Sequence, residues 1–137
     1  MRATKFGHFL DSNVVLYLLS ADNHKADQAE HLLASGPVIS VQVLNEVAHV
    51  CRRKLQMTWD DITRFLTLVR GFCKVVPLTE TIHDQGRTIS ARYQLPFYDA
   101  CIVAAAADAG CHTLYTEDMH NGLQLPDQQL SVKNPFK

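Results

Sequence analysis

The chain has 137 residues, of which 47% are hydrophobic and 20% charged, in keeping with one soluble globular domain that builds its own core. A formal net charge of −1 gives no general attraction to nucleic acid, and no apolar run reaches the roughly 18 to 20 residues of a membrane helix. The apolar run at 14–19 is too short for a secretion signal and follows an acid, so a cytoplasmic protein with no membrane association is expected.

In chain order, Phe9 and Leu10 end a first strand, and residues 13–19 begin a helix. Asn23 is placed to cap a second helix through Ala34, which Gly36 ends because glycine tolerates the left-handed backbone just past a helix. Residues 37–40 read as a second strand. The helix after it carries Leu44, Val47, Cys51 and Leu55 at three-to-four spacing. Thr58, with Asp61 three residues on, caps a helix bearing Ile62, Phe65, Leu66 and Val69 that stops at Gly71. Residues 74–78 form a third strand, and Thr79 caps a helix with Ile82, Gly86, Ile89 and Tyr93 on one stripe. Pro96 breaks the chain. Residues 99–109 form an alanine-rich helix suited to close interior packing, ended by Gly110. Residues 112–116 make a fourth strand and 130–132 a short fifth.

Strands alternating with helices imply right-handed crossovers. The expected fold is a single α/β domain over residues 1–137: a three-layer α/β/α sandwich with a mainly parallel sheet of four to five strands. In such sheets the ligand site lies at the carboxyl ends of the strands.

That edge collects acids. Asp11 directly follows the first strand and Asp118 the fourth; Glu46 lies in the helix leaving the second strand, and Asp99 opens the alanine-rich helix. Taken singly, Asp11 and Asp99 are explained by helix capping, Glu46 by a solvent-facing position and Asp118 by a turn. Those explanations do not account for all four meeting at one edge. Crowded carboxylates repel unless positive charge intervenes, and two divalent cations would balance four of them. All-oxygen ligands select hard ions, Mg²⁺ or Mn²⁺, a chemistry suited to phosphodiester hydrolysis. Without these acids the chain sums to +3, and residues 52–74 hold six basic against two acidic residues, a net of +4. Arg52, Arg53 and Lys54 are the candidates for substrate phosphates, although a solvated helix face would explain them as well.

Other chemistries lack their motifs. Cys51, Cys73, Cys101 and Cys111 form no C-x-x-C pair and are expected to be free thiols, and the seven histidines form no H-x-x-x-H or H-x-x-E-H arrangement. No G-x-S-x-G, Walker loop or G-x-G-x-x-G occurs. Trp59 is a candidate for a partner interface, with a core position the alternative.

The set L-D-S-N-V at 10–14, N-E at 45–46, Y-D-A at 98–100 and T-E-D at 116–118, in this order and on these elements, resembles the PIN-domain nucleases. In size the chain is similar to the VapC toxins of bacterial toxin–antitoxin pairs. The resemblance spans nearly the whole chain and implies that Asp11, Glu46, Asp99 and Asp118 hold Mg²⁺ or Mn²⁺ and activate water for RNA cleavage. It implies Asn13 and Thr116 as polar companions of the first and last acids, with Thr116 orienting a carboxylate. Glu117, beside Asp118 at a strand end, is expected to point away from it. Also implied are an RNA substrate, a homodimer and a protein antitoxin, which is expected to place an Arg or Lys against the acids. The alternatives are a non-toxic PIN nuclease in RNA processing or on single-stranded DNA, and a catalytically inactive RNA-binding module. A haloacid-dehalogenase-type phosphatase needs a second Asp where Asn13 stands.

Overall fold

In the computed structural model, which describes residues 7–137, the chain runs through β1 (His8–Leu10), α1 (Ser12–Leu16) with a 3-10 turn (Tyr17–Leu19), α2 (Asn23–Ala34), β2 (Val38–Ser40), α3 (Val41–Arg53) and α4 (Trp59–Phe72). It continues through β3 (Lys74–Val76), α5 (Glu80–Tyr93), α6 (Phe97–Asp108), β4 (Thr113–Tyr115), β5 (Gln124–Leu125) and β6 (Leu130–Lys133). Residues 1–6, part of the expected single domain, lie outside the described residues. Capping side chains set where most helices begin: Asp11, Asp22, Ser40, Thr58 and Thr79 each accept a backbone N–H from the first turn that follows.

The sheet has the order β3-β2-β1-β4-β6-β5. β1 pairs in parallel with β2 on one side, Phe9 opposite Val38, and with β4 on the other, Phe9 opposite Leu114. The chain therefore winds outward from β1 through β2 to β3, then returns to the far side of β1 with β4. That reversal between β1 and β4 is where an open parallel sheet leaves a crevice at its carboxyl ends. Helices cover both faces, so Phe9, Leu10, Val38, Ile39 and Leu114 are all buried and these strands show no polar alternation.

α6 is buried almost all round, from Ala100 through Ala106, as an interior helix of small residues must be. α5 packs against it closely: a Cβ on Gly86 would stand 2.7 Å from the Cys101 sulfur, so this crossing requires glycine. All four cysteines are free thiols. Among the described residues no helix is long and apolar enough to cross a membrane.

The structure departs from expectation in detail. The sheet has six strands rather than four to five, because Gln124–Leu125 adds an antiparallel edge to β6, Leu125 opposite Leu130. Two residues carry no periodicity from which to read a strand. α3 ends at Arg53, and Gln56 turns the chain with a φ of 53°, which leaves Leu55 exposed. The buried side of α3 is Val43, Val47 and Cys51. Asp22, not Asn23, caps α2. β3 stops at Val76, since Pro77 has no N–H for the ladder. α6 begins at Phe97, which puts Asp99 inside the first turn and not at the cap.

Candidate active site

β1 carries Asp11 to the open edge of the sheet, where its N–H donates to the Tyr115 carbonyl at 3.0 Å. Its carboxylate does two things. Oδ1 caps α1 by accepting the Ser12 N–H at 2.7 Å, and Oδ2 accepts the Thr116 hydroxyl at 2.9 Å. The residue is only 3% exposed, and its donors are all neutral. Burial pushes its pKa up to about 6. The Ser12 and Thr116 bonds work against that rise, while the charges of Glu46 and Asp99 add to it.

β4 ends at Tyr115 and delivers Thr116 beside Asp11. The Thr116 hydroxyl accepts from the Asn13 amide at 3.0 Å and from the Asp118 N–H at 3.2 Å. Asn13 also donates to Asp118 Oδ2 at 3.1 Å, and its carbonyl oxygen accepts the Glu117 N–H at 3.0 Å. One hydroxyl and one amide thus tie the first acid to the last. Glu117 turns away, its carboxylate accepting from the Tyr17 hydroxyl and from Lys25 at 2.8 Å, and these partners hold it below the usual carboxylate range. Lys25 in turn lies over the Tyr17 ring at 4.6 Å.

Ser40 caps α3 at the end of β2, and the helix presents Gln42 and Glu46 one turn apart. Glu46 accepts from the Ser12 hydroxyl at 2.9 Å and from the Gln42 amide at 3.2 Å. Gln42 also donates to the Tyr98 carbonyl at 3.0 Å, joining α3 to the start of α6. Asp99 follows in that first turn, half-buried, its pKa raised by burial and then by the charges of Asp118 and Glu46. Asp11, Glu46, Asp99 and Asp118 line one cleft of about 680 Å³ with Ser12, Gln42, Asn45, His49, Val50, Leu78 and Tyr98.

The donor set suits a hard divalent ion: it is all-oxygen, and the ion pairs to Lys25, Arg64, Arg87 and Arg92 use other acids, Glu117, Asp61, Asp84 and Asp127. Among the described residues, no group of three or more Asp, Glu, His or Cys side chains is gathered as a ready-made metal site.

Arg52, Arg53 and Lys54 are not among the residues that line this cleft. They are exposed at the end of α3, where Arg52 donates to the Met57 carbonyl at 3.0 Å and lies 5.4 Å from the Trp59 ring centre. A smaller groove, about 340 Å³, shares Val50 and Asp118 with the cleft and reaches Leu55, next in the chain to Lys54. From sequence, Ser12 and Tyr98 stand in the L-D-S-N-V and Y-D-A stretches without a role of their own, and Gln42 is not singled out at all. Gln42 was discoverable, since it precedes Glu46 by one helical turn.

The family model for the PIN domain matches residues 8–120, from the start of β1 to just past Asp118. The chain belongs to the PIN domain family. Among curated proteins none matches its sequence. Its PIN fold is similar to solved structures of low sequence identity. A toxin–antitoxin complex from Klebsiella pneumoniae is 19% identical with a TM-score of 0.70, covering 94% of this chain and 98% of that one. VapC20 of Mycobacterium tuberculosis, described as a sarcin–ricin loop cleaving toxin, is 20% identical with a TM-score of 0.66, covering 82% and 90%. VapBC2 of Rickettsia felis, bound to a DNA fragment from its promoter, is 18% identical with a TM-score of 0.67, covering 93% and 97%. At such identities the likeness is one of fold. The β5–β6 hairpin lies beyond the part of the PIN domain that the family model matches.

Proposed function

We propose that this PIN domain is a Mg²⁺- or Mn²⁺-dependent endoribonuclease, the toxin of a VapBC-type pair, acting in the cytoplasm as a homodimer and restrained by a protein antitoxin. The observation that carries the nuclease is the convergence of Asp11, Glu46, Asp99 and Asp118, from four different elements, on one cleft at the sheet's switch point. Asp11 is nearly fully buried there with neutral donors only, a costly arrangement that a bound cation would relieve.

Asp11 and Asp99 would be the principal holders of the ion. Glu46, steadied by Ser12 and Gln42, and Asp118, steadied by Asn13, would complete the set. Once bound, such an ion supplies a water of lowered pKa and neutralises charge on the phosphate. Thr116 keeps the Asp11 oxygen oriented, and Arg52, Arg53 and Lys54 would meet the backbone of an RNA that runs on past Asp118 along the smaller groove.

The toxin reading is supported by likeness of fold to toxins and to toxin–antitoxin complexes. It is supported too by an apolar groove of about 420 Å³ away from the acids, whose Leu68 is 59% exposed and flanked by Leu19, Leu33, Phe65 and Phe72. A surface of that kind suits a partner segment. The purified chain is expected to cut a structured RNA with Mg²⁺ or Mn²⁺ present and to stop when EDTA is added. RNA binding with no cutting under any divalent ion would overturn the enzyme and leave a binding module.

A further inference from the structure

Tyr98 stands at the mouth of the cleft, directly before Asp99, and is 68% exposed. A lone exposed aromatic needs no explanation by itself. Three observations set this one apart. Its backbone is fixed to the acids, because the Gln42 amide that donates to Glu46 also donates to the Tyr98 carbonyl at 3.0 Å. Its ring is supported from within, meeting the edge of Phe97 at 5.6 Å between centres, with Phe97 meeting His83 at 5.5 Å. Leu78, 45% exposed, lines the same cleft and adds an apolar surface.

We infer that Tyr98, with Leu78, forms a stacking subsite for the nucleobase next to the phosphate at the acids. This rests on the nuclease reading above and gives the cleft a grip on the base as well as on the backbone. The chemistry is that of single-stranded nucleic-acid grooves, where an aromatic face takes an unpaired base with little regard to its identity. The ring is one residue from Asp99 and lines the same cleft, so a base stacked on it would lie beside the phosphate at the acids. Tyr98 offers an exposed aromatic face for stacking, and comparison with Tyr98→Phe separates that face from its OH.

The test measures equilibrium binding of a fluorescent single-stranded oligoribonucleotide, with Asp11→Asn as the uncut parent. Adding Tyr98→Ala is expected to weaken binding about tenfold, within the range of one lost base–aromatic stack. Tyr98→Phe and Tyr98→Trp are expected to bind like the parent. An oligomer with abasic central positions is expected to show the same loss with the parent and no further loss with Tyr98→Ala. Unchanged binding by Tyr98→Ala, or a full abasic penalty persisting in that variant, would overturn the subsite. So would a shift of Tyr98→Ala from dimer to monomer in sedimentation with base dependence intact, which would make the ring a contact between copies. None of these touches the nuclease reading, which stands or falls with divalent-dependent cutting by the otherwise unaltered chain.

Discussion

Asp99→Asn is expected to cut RNA about a thousandfold more slowly than the unaltered chain, the several kcal/mol associated with losing a metal-borne charge in the transition state. Without metal near neutral pH it is expected to unfold at the same urea concentration or a somewhat higher one. The separation of the two effects follows from how Asp99 is held. Its carboxylate accepts no hydrogen bond from the described residues, and it sits in the first turn of α6 without being the cap. Its charge is already disfavoured by burial and by Asp118 and Glu46. Asparagine keeps the shape and removes only the charge, so a matching loss of fold and of activity would argue against a role in chemistry. Cleavage by Asp99→Asn at the unaltered rate would remove Asp99 from the active set.

The metal-free protein is expected to gain stability over its Asp11→Asn variant as the pH falls from about 7 toward about 4.5, the reverse of ordinary acid denaturation. Asp11 has a folded pKa of about 6 against an ordinary 3.8, with burial as the main cause. A group raised in the folded state binds more protons there than in the unfolded chain. Its penalty is therefore fully present above pH 6, shrinks as the pH falls through 6, and vanishes below 3.8. At about 1.4 kcal/mol per unit the effect approaches 3 kcal/mol. Asp99 shifts in the same direction. Glu117, clamped by Lys25 and Tyr17, and Asp61, paired with Arg64, are lowered instead, and the stability they add is lost only as the pH falls below the ordinary carboxylate range. Between about 4.5 and 6 the cleft acids therefore act against His8, whose pKa burial holds below the ordinary 6.5 and which costs stability as the pH falls. Asp11→Asn is expected to lose that gain and keep the fall due to His8, because an amide still caps α1 through its oxygen and carries no charge to desolvate. Urea midpoints of the unaltered chain and of Asp11→Asn that run parallel through the same window would contradict this.

Most of this arrangement was legible because it depends on where strands end. Phe9-Leu10 and Leu114-Tyr115 are short apolar runs followed by polar residues, and in a parallel sheet that alone places Asp11 and the Thr116–Asp118 turn on one edge. The helical stripes of α4 and α5 and the alanine face of α6 were readable from spacing. The features that escaped were those set by tertiary contact. β5 exists only because β6 offers it an edge, and the end of α3 is decided by the left-handed turn at Gln56. In the cleft, residue type pointed to the acids but could not reveal that Gln42 bonds both Glu46 and the Tyr98 carbonyl across 56 positions. The question whether Asp11 caps a helix or serves the cleft also had no answer in sequence. The structure shows that its two oxygens divide the tasks, one taking the Ser12 N–H and the other the Thr116 hydroxyl beside the acids.

The most direct measurement is a calorimetric titration of the metal-free chain with Mn²⁺ near neutral pH, repeated on Asp99→Asn. Saturable binding to the unaltered chain, weakened at least tenfold in the variant, is the expected result. No saturable binding, or equal binding by both, would contradict a metal-holding role for Asp11, Glu46, Asp99 and Asp118.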